Sequence, residues 1–363
     1  MNWEYAFLLN CTRQYYDNGI QPIETIDFDW GYFWDLCVFH KVVGIVFGNL
    51  KHCNLQIPDL IQEKVNNWQQ ETQKRNRLQQ SEFIKVMRHM DNPVLVMKGF
   101  WLTHFLYKSD FIRRSADIDI LFDIEDKDEL KKVLEQFGYI QSDYDYQNNR
   151  IIKASREKVI YQEMFTHELY QYIKMVEDVP VCFDCNFKFS WQGVKDFAVP
   201  DLTFDIALSN SCEHKINDFT YKSFNKELFF IHLCVHCYNE YHYFLFDNMV
   251  NYNELRLYRL CDLRTMVQQE HLDYRLVEML KDQVGARKHL DFCINLSNAI
   301  FKDRLFDDLN CSLYSDDDLN IYYDSNGKKH HWNLSLEERI YELEKRREET
   351  NAIFHHYFNM LEK

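Results

Sequence analysis

The run Asp117-Ile118-Asp119-Ile120-Leu121-Phe122 alternates carboxylates with large apolar side chains, and that alternation fixes what this stretch can become. In an extended strand residues two apart point the same way. Asp117 and Asp119 therefore share one face, while Ile118, Ile120 and Phe122 enter a core on the other. Two carboxylates held about 4 Å apart repel by roughly 4 kcal/mol at an effective dielectric near 20. A solvated face relaxes that cost, a rigid sheet does not, and a divalent cation removes it.

The same periodicity applied to residues 181–187 puts Asp184 on one face with Cys182 and Asn186, and Phe183, Cys185 and Phe187 on the other. Asp184 is thus a candidate third carboxylate. Oxygen-only ligands of this kind suit Mg²⁺ (or Mn²⁺), which one or two carboxylates commonly hold together with substrate phosphates.

Upstream, a turn at 91–93 leads into VLVM, a short apolar run that reads as a buried strand, then Lys98-Gly99 and FWLTHFLYK. Phe100, Trp101, Phe105 and Leu106 are at helical spacing, so Lys98 and Gly99 sit where a strand turns into a helix. Backbone N–H groups at such a turn attract phosphate, and glycine permits close approach. Arg113 and Arg114 could meet phosphate oxygens with a planar fork, or Arg113 could balance Asp110 at the surface. Ser115 either assists a phosphate or caps the strand. After the DIDILF strand, Leu130, Val133, Leu134 and Phe137 share a helix face that Gly138 closes. The polar QSDYDYQNNR reads as a separator. Beyond it lie two strand candidates, IIKASREKVIYQEM, open to division into a hairpin, and VPVCFDCNFKFSW.

Helices are expected on both sides. The first ninety residues read as Trp3 to Tyr16, Trp34 to Leu50, and a long helix from about Pro58 to Met90. The apolar stripe of the last one lapses over QQETQKRNR, so its middle is solvated or faces a polar cleft; solvation is the expectation. From about Phe204 the pattern is helical again, with residues 312–332 a mobile loop or a hairpin. The division expected is 1–90 helical, 91–200 α+β core, 201–363 helical.

With 42 basic and 57 acidic residues, net −15, the chain is not built to grip nucleic-acid backbones broadly. No apolar run reaches the roughly 20 residues of a membrane span, and the start lacks a secretory pattern, so no membrane partner is expected. Eleven cysteines, an odd number, suit reduced thiols in a cytoplasmic protein. Cys182 and Cys185, three apart on a strand, face opposite ways and make a poor zinc pair. His232 and His236 lie in a helix apolar nearly all round and read as core residues.

Taken together, VLVMKGFWLTHFLY, RRSADIDILF, a helix ending in Gly-Tyr, HEL and VCFDCNF resemble the uncharacterised nucleotidyltransferase family of the DNA polymerase β-like superfamily, over roughly residues 55 to 270. The resemblance implies an α+β polymerase-β-like core with helical flanks. It makes Asp117 and Asp119 the metal pair, Asp184 the third carboxylate, and Lys98-Gly99 the replacement for a Gly-Ser turn. Arg113 falls at the family's arginine position. His167 matches a histidine before the third strand, and Asn186 stands where the family carries histidine. The implied activity is metal-dependent transfer of a nucleoside monophosphate from a nucleoside triphosphate such as ATP to an unknown acceptor (protein, peptide, RNA or small molecule), releasing pyrophosphate. The alternative is a degenerate nucleotide-binding or protein-interaction module, for example a toxin–antitoxin component.

Overall fold

The computed structural model describes residues 3–15, 20, 28–51, 53, 55–189, 202–242, 255–324 and 327–361. The chain divides into two units, one of residues 64–193 with 199–232, the other of residues 1–63, 194–198 and 233–363. The expected boundary at residue 200 lies outside the described residues.

Three helices open the chain: α1 (Trp3–Thr12), α2 (Trp30–Phe39) and α3 (Val43–Leu50). The single helix expected over 34–50 is broken. Lys41 takes a left-handed φ of 57°, and the buried His40 is held by its Nε2 on the Ile340 carbonyl at 2.8 Å. Burial lowers the His40 pKa well below its usual value, so the ring is neutral there.

Next come α4 (Asp59–Met87), β1 (Leu95–Val96), α5 (Lys98–Trp101) running into a π-helical turn over Leu102–Leu106, β2 (Ile118–Leu121) and α6 (Lys127–Gln136). They are followed by β3 (Ile140–Asp145), β4 (Arg150–Lys153), α7 (Arg156–Phe165), β5 (Tyr172–Val176), β6 (Val179–Asn186), α8 (Phe204–Ser209), β7 (Ser211–Ile216), β8 (Phe219–Phe224) and α9 (Lys226–His242). Among the described residues the strands form one eight-stranded mixed sheet, in the order β4-β3-β5-β6-β2-β1-β8-β7. Ile118, Ile120 and Phe122 are fully buried, as the alternation requires.

Four local expectations are corrected. The polar stretch after residue 140 is largely strand β3, because it pairs with β4 and β5 and needs only one buried position, Ser142. The run 151–164 is not a hairpin: β4 ends at Lys153, and Ser155 accepts the Lys158 N–H as the N-cap of α7. Residues 211–224, inside the region read as helical, form the hairpin of β7 and β8, turning at Asn217 with φ 54°. Finally, one side of the polar middle of α4 faces protein rather than water, with Thr72, Asn76, Gln79 and Glu82 buried while Gln70, Glu71, Lys74 and Arg77 stay exposed. Asn76 donates to the Asp110 and Arg113 carbonyls, each at 2.9 Å, and Gln79 to the Ser115 carbonyl. The stripe is polar because its partners are the backbone groups of the segment leading into β2.

The remaining elements are α10 (Leu257–Glu270), α11 (Tyr274–Gln283), α12 (Arg287–Phe301), α13 (Asp316–Leu319), β9 (Ile321–Tyr323), β10 (Lys329–His331), α14 (Leu336–Tyr341) and α15 (Leu343–Leu361). The pairing of β9 with β10 is the hairpin alternative for 312–332, of which residues 325 and 326 lie outside the described residues. In this unit the buried Arg264 forks onto Asp303 at 3.1 and 2.5 Å. No helix among the described residues is long and apolar enough to cross a membrane.

Candidate active site

Strands β2 and β6 run parallel, and their register sets Asp119 beside Asp184. Asp117 lies just before β2. Ser115 fixes it there by donating from Oγ to the Asp117 carbonyl at 2.7 Å. A Cβ at Gly99 would meet that Ser115 Oγ at 2.6 Å, so Gly99 makes room for the hydroxyl that shapes the approach to β2. Oxygens of Asp117, Asp119 and Asp184 all lie within 4.8 Å of one another. Two oxygens on one Mg²⁺ can be no more than about 4.2 Å apart, twice a 2.1 Å bond, so the cluster needs only a slight closure to share an ion.

Lys98, with φ 46° at the β1–α5 junction, places Nζ 2.7 Å from Asp119 Oδ1. Asp119 is only 2% exposed. Burial, then the Asp117 charge, push its pKa up to about 7 against the pull of Lys98. Asp184 is driven well above the carboxylate range by burial and then by Asp117. Burial alone would lower Lys98, but Asp119 and Asp117 outweigh it and keep the ammonium charged. The site is thus an acidic cluster partly compensated by one half-buried cation.

Asn186 donates to the carbonyls of Ile120 at 3.3 Å and Asp184 at 3.1 Å, tying the end of β6 to β2. The His167 carbonyl accepts from the Phe187 and Lys188 N–H groups, and its half-buried ring keeps a buried Nδ1 with no hydrogen bond. Burial, then Lys98 and Lys188, lower that ring to about 3. Arg113 donates to the Arg114 carbonyl at 2.7 Å, and Arg114 stands 3.8 Å from Glu71. Asp110 pairs with Arg77 at 2.6 Å. Cys182 donates its thiol to Asp184 Oδ1 at 3.4 Å while Cys185 is buried on the opposite face. His232 packs against Phe189, Phe224 and Phe229 as a core ring.

Two nearby groups carry no sequence expectation. Glu168 is close enough for its charge to raise both Asp119 and Asp184. Arg75, in the polar run of α4, reaches the Pro180 carbonyl at 3.5 Å and lies within the field of Asp117. The lapse in the α4 stripe was the available signal for Arg75.

Residues 27–302 match the profile of a family described as uncharacterised nucleotidyltransferases. The chain belongs to that family. This nucleotidyltransferase is also similar to a solved structure, the Megavirus polyadenylate synthase, at 13% identity and a TM-score of 0.26, with 92% of this chain and 66% of that chain covered. It therefore spans just under two thirds of that protein. No curated protein matches it.

Proposed function

We propose that Asp117, Asp119 and Asp184 are the catalytic centre of a metal-dependent transferase that moves a nucleoside monophosphate from a triphosphate to an acceptor hydroxyl. The observation that carries this reading is the convergence of three carboxylates, the buried Asp119 and the half-buried Asp117 and Asp184, beside the half-buried Lys98. The donor set fits Mg²⁺ or Mn²⁺: all hard oxygens, with Asp119 and Asp184 each held above its usual pKa and so in need of a cation. When bound by these three residues, such an ion would supply charge neutralisation and Lewis-acid polarisation of the phosphate.

The chain's own contribution is positioning and charge. Lys98, already inside the cluster, balances negative charge that grows on the triphosphate. Asp184 accepts the acceptor's hydroxyl proton on a carboxylate oxygen. The acceptor oxygen bonds to the α-phosphorus as the bond to the bridging oxygen breaks, and pyrophosphate leaves with that electron pair. Arg113, Arg114 and Ser115 serve the triphosphate from the segment before β2, Gly99 through its packing on Ser115. His167 and Asn186 hold the end of β6. The residues 64–193 and 199–232 form the catalytic unit. The free thiols fit a cytoplasmic protein.

The test is incubation of the full chain with each α-labelled triphosphate, a cell lysate and Mg²⁺ or Mn²⁺. Label transfer with pyrophosphate release that vanishes in Asp117→Asn supports the proposal. Triphosphate binding without turnover under every condition would leave only the degenerate-module alternative.

A further inference from the structure

A cavity of about 170 Å³ opens beside the carboxylates, with Arg75, Tyr144, Tyr146, Gln171 and Cys182 in its wall. Its place in the sheet is informative. The order β3-β5-β6-β2-β1 sets the carboxylates on the two middle strands, with Lys98 leaving β1 on one side. Tyr144 on β3 and Gln171 at the start of β5 lie on the other side. The floor is Cys182, two residues before Asp184 and on the same face of β6, so the cavity lies about 6.6 Å along the strand from that carboxylate. A second wall residue, Ala116, adjoins Asp117.

The lining states what would fit. Arg75 keeps a buried Nε with no hydrogen-bond partner, on a group whose planar fork matches phosphate or carboxylate. The acid in the wall, Asp143, is already engaged by Tyr170 at 2.5 Å and Lys158 at 3.0 Å, which leaves Arg75 to meet an anion. Tyr144 and Tyr146 pack edge to face, centroids 4.8 Å apart, and Tyr146 is 84% exposed. An aromatic ring that far out of a core is available to stack on a flat ligand.

We propose that this cavity is the acceptor pocket and that it takes a nucleotide: Arg75 holds the phosphate, Tyr146 stacks on the base with Tyr144 braced edge-on against it, and the ribose hydroxyl points toward Asp184. That it receives the acceptor rests on the proposed function; that it binds a nucleotide does not.

The test is calorimetric titration of each nucleoside 5′-monophosphate into the full chain, alone and preloaded with Mg²⁺ and a triphosphate whose α,β-bridge is methylene. One monophosphate should bind the preloaded protein. Arg75→Gln and Tyr146→Ala should each weaken it by about tenfold, a 1.4 kcal/mol effect, with triphosphate affinity within about twofold of wild type. Because Tyr146 is exposed, its variant folds whatever happens at Arg75. Binding of ribose 5-phosphate as tight as that of the monophosphate would overturn the stacking role. Absence of monophosphate binding in both states would overturn the pocket. An equal loss of triphosphate affinity in Arg75→Gln would return Arg75 to the triphosphate. If the triphosphate itself does not bind, the proposed function fails, while titration of the unloaded protein still decides the cavity by the response of the two variants.

Discussion

Asp119 and Asp184 are register partners on neighbouring parallel strands, each backed by a core that forbids retreat. Like charges so placed oppose folding unless a proton or a cation stands between them. The lysine that reaches Asp119 from the β1–α5 junction meets part of that demand, and the rest is left for a ligand.

The proton part is measurable. Asp119 has a folded pKa of about 7, above the roughly 3.9 of an unfolded chain. Its protonation therefore stabilises the fold fully below about pH 4, and that stability is lost as pH rises through 7. The metal-free protein should melt at a lower temperature at pH 8 than at pH 6. Saturating Mn²⁺ should abolish the difference by taking the proton's place, and a melting point that rises from pH 6 to 8 without metal would contradict the arrangement.

Replacing Asp184 by Asn should cut triphosphate turnover by roughly 10³-fold, the scale of removing one preorganised charge-stabilising group. The same change removes a half-buried carboxylate held above its usual pKa, so the metal-free variant should melt no lower than wild type. Pyrophosphate release and thermal melts on one preparation check both.

Gly99→Ala should destabilise by about 1 to 3 kcal/mol, the range for overpacking, since its Cβ would stand 2.6 Å from Ser115 Oγ. Adding Ser115→Ala should restore most of that loss in denaturant melts. Turnover should stay depressed in the double variant, because the bond that fixes Asp117 is gone.

Glu82 accepts from Lys174 at 2.7 Å and Tyr139 at 3.1 Å. Burial would raise its carboxyl, but these partners, Lys174 foremost, hold it below the usual range. Glu82→Gln should cost about 1 to 3 kcal/mol at neutral pH. A depressed folded pKa gives stability present above the unfolded value near 4.3 and lost as pH falls through the folded one, so the gap between variant and wild type should close in acid.

The carboxylate cluster was legible in the sequence because period-two alternation is a local property: Asp117, Asp119 and Asp184 could be assigned to faces without knowing their partners. The family was legible for a related reason, since its motifs are short and each sits on one element. What pairing alone decides was not legible. The strand β7, half exposed and carrying Glu213, His214 and Lys215, has no local reason to be extended until β8 lies beside it. Arg75 was hidden by the rule that polar helix faces meet water. Here that face meets backbone carbonyls of Asp110, Arg113 and Ser115 instead.

The parallel pairing of β1 with β8 joins Leu95 to Lys222 and Val96 to Ser223, whose hydroxyl also donates to the Val96 carbonyl at 2.7 Å. Strand β1 therefore cannot gain its outer neighbour until well over a hundred further residues have left the ribosome. Until then it presents an open, greasy edge of the kind that templates aggregation. A fragment cut at residue 200 would keep all three carboxylates and still carry that edge permanently, so shortening the chain to its motifs should yield inclusion bodies rather than a smaller enzyme.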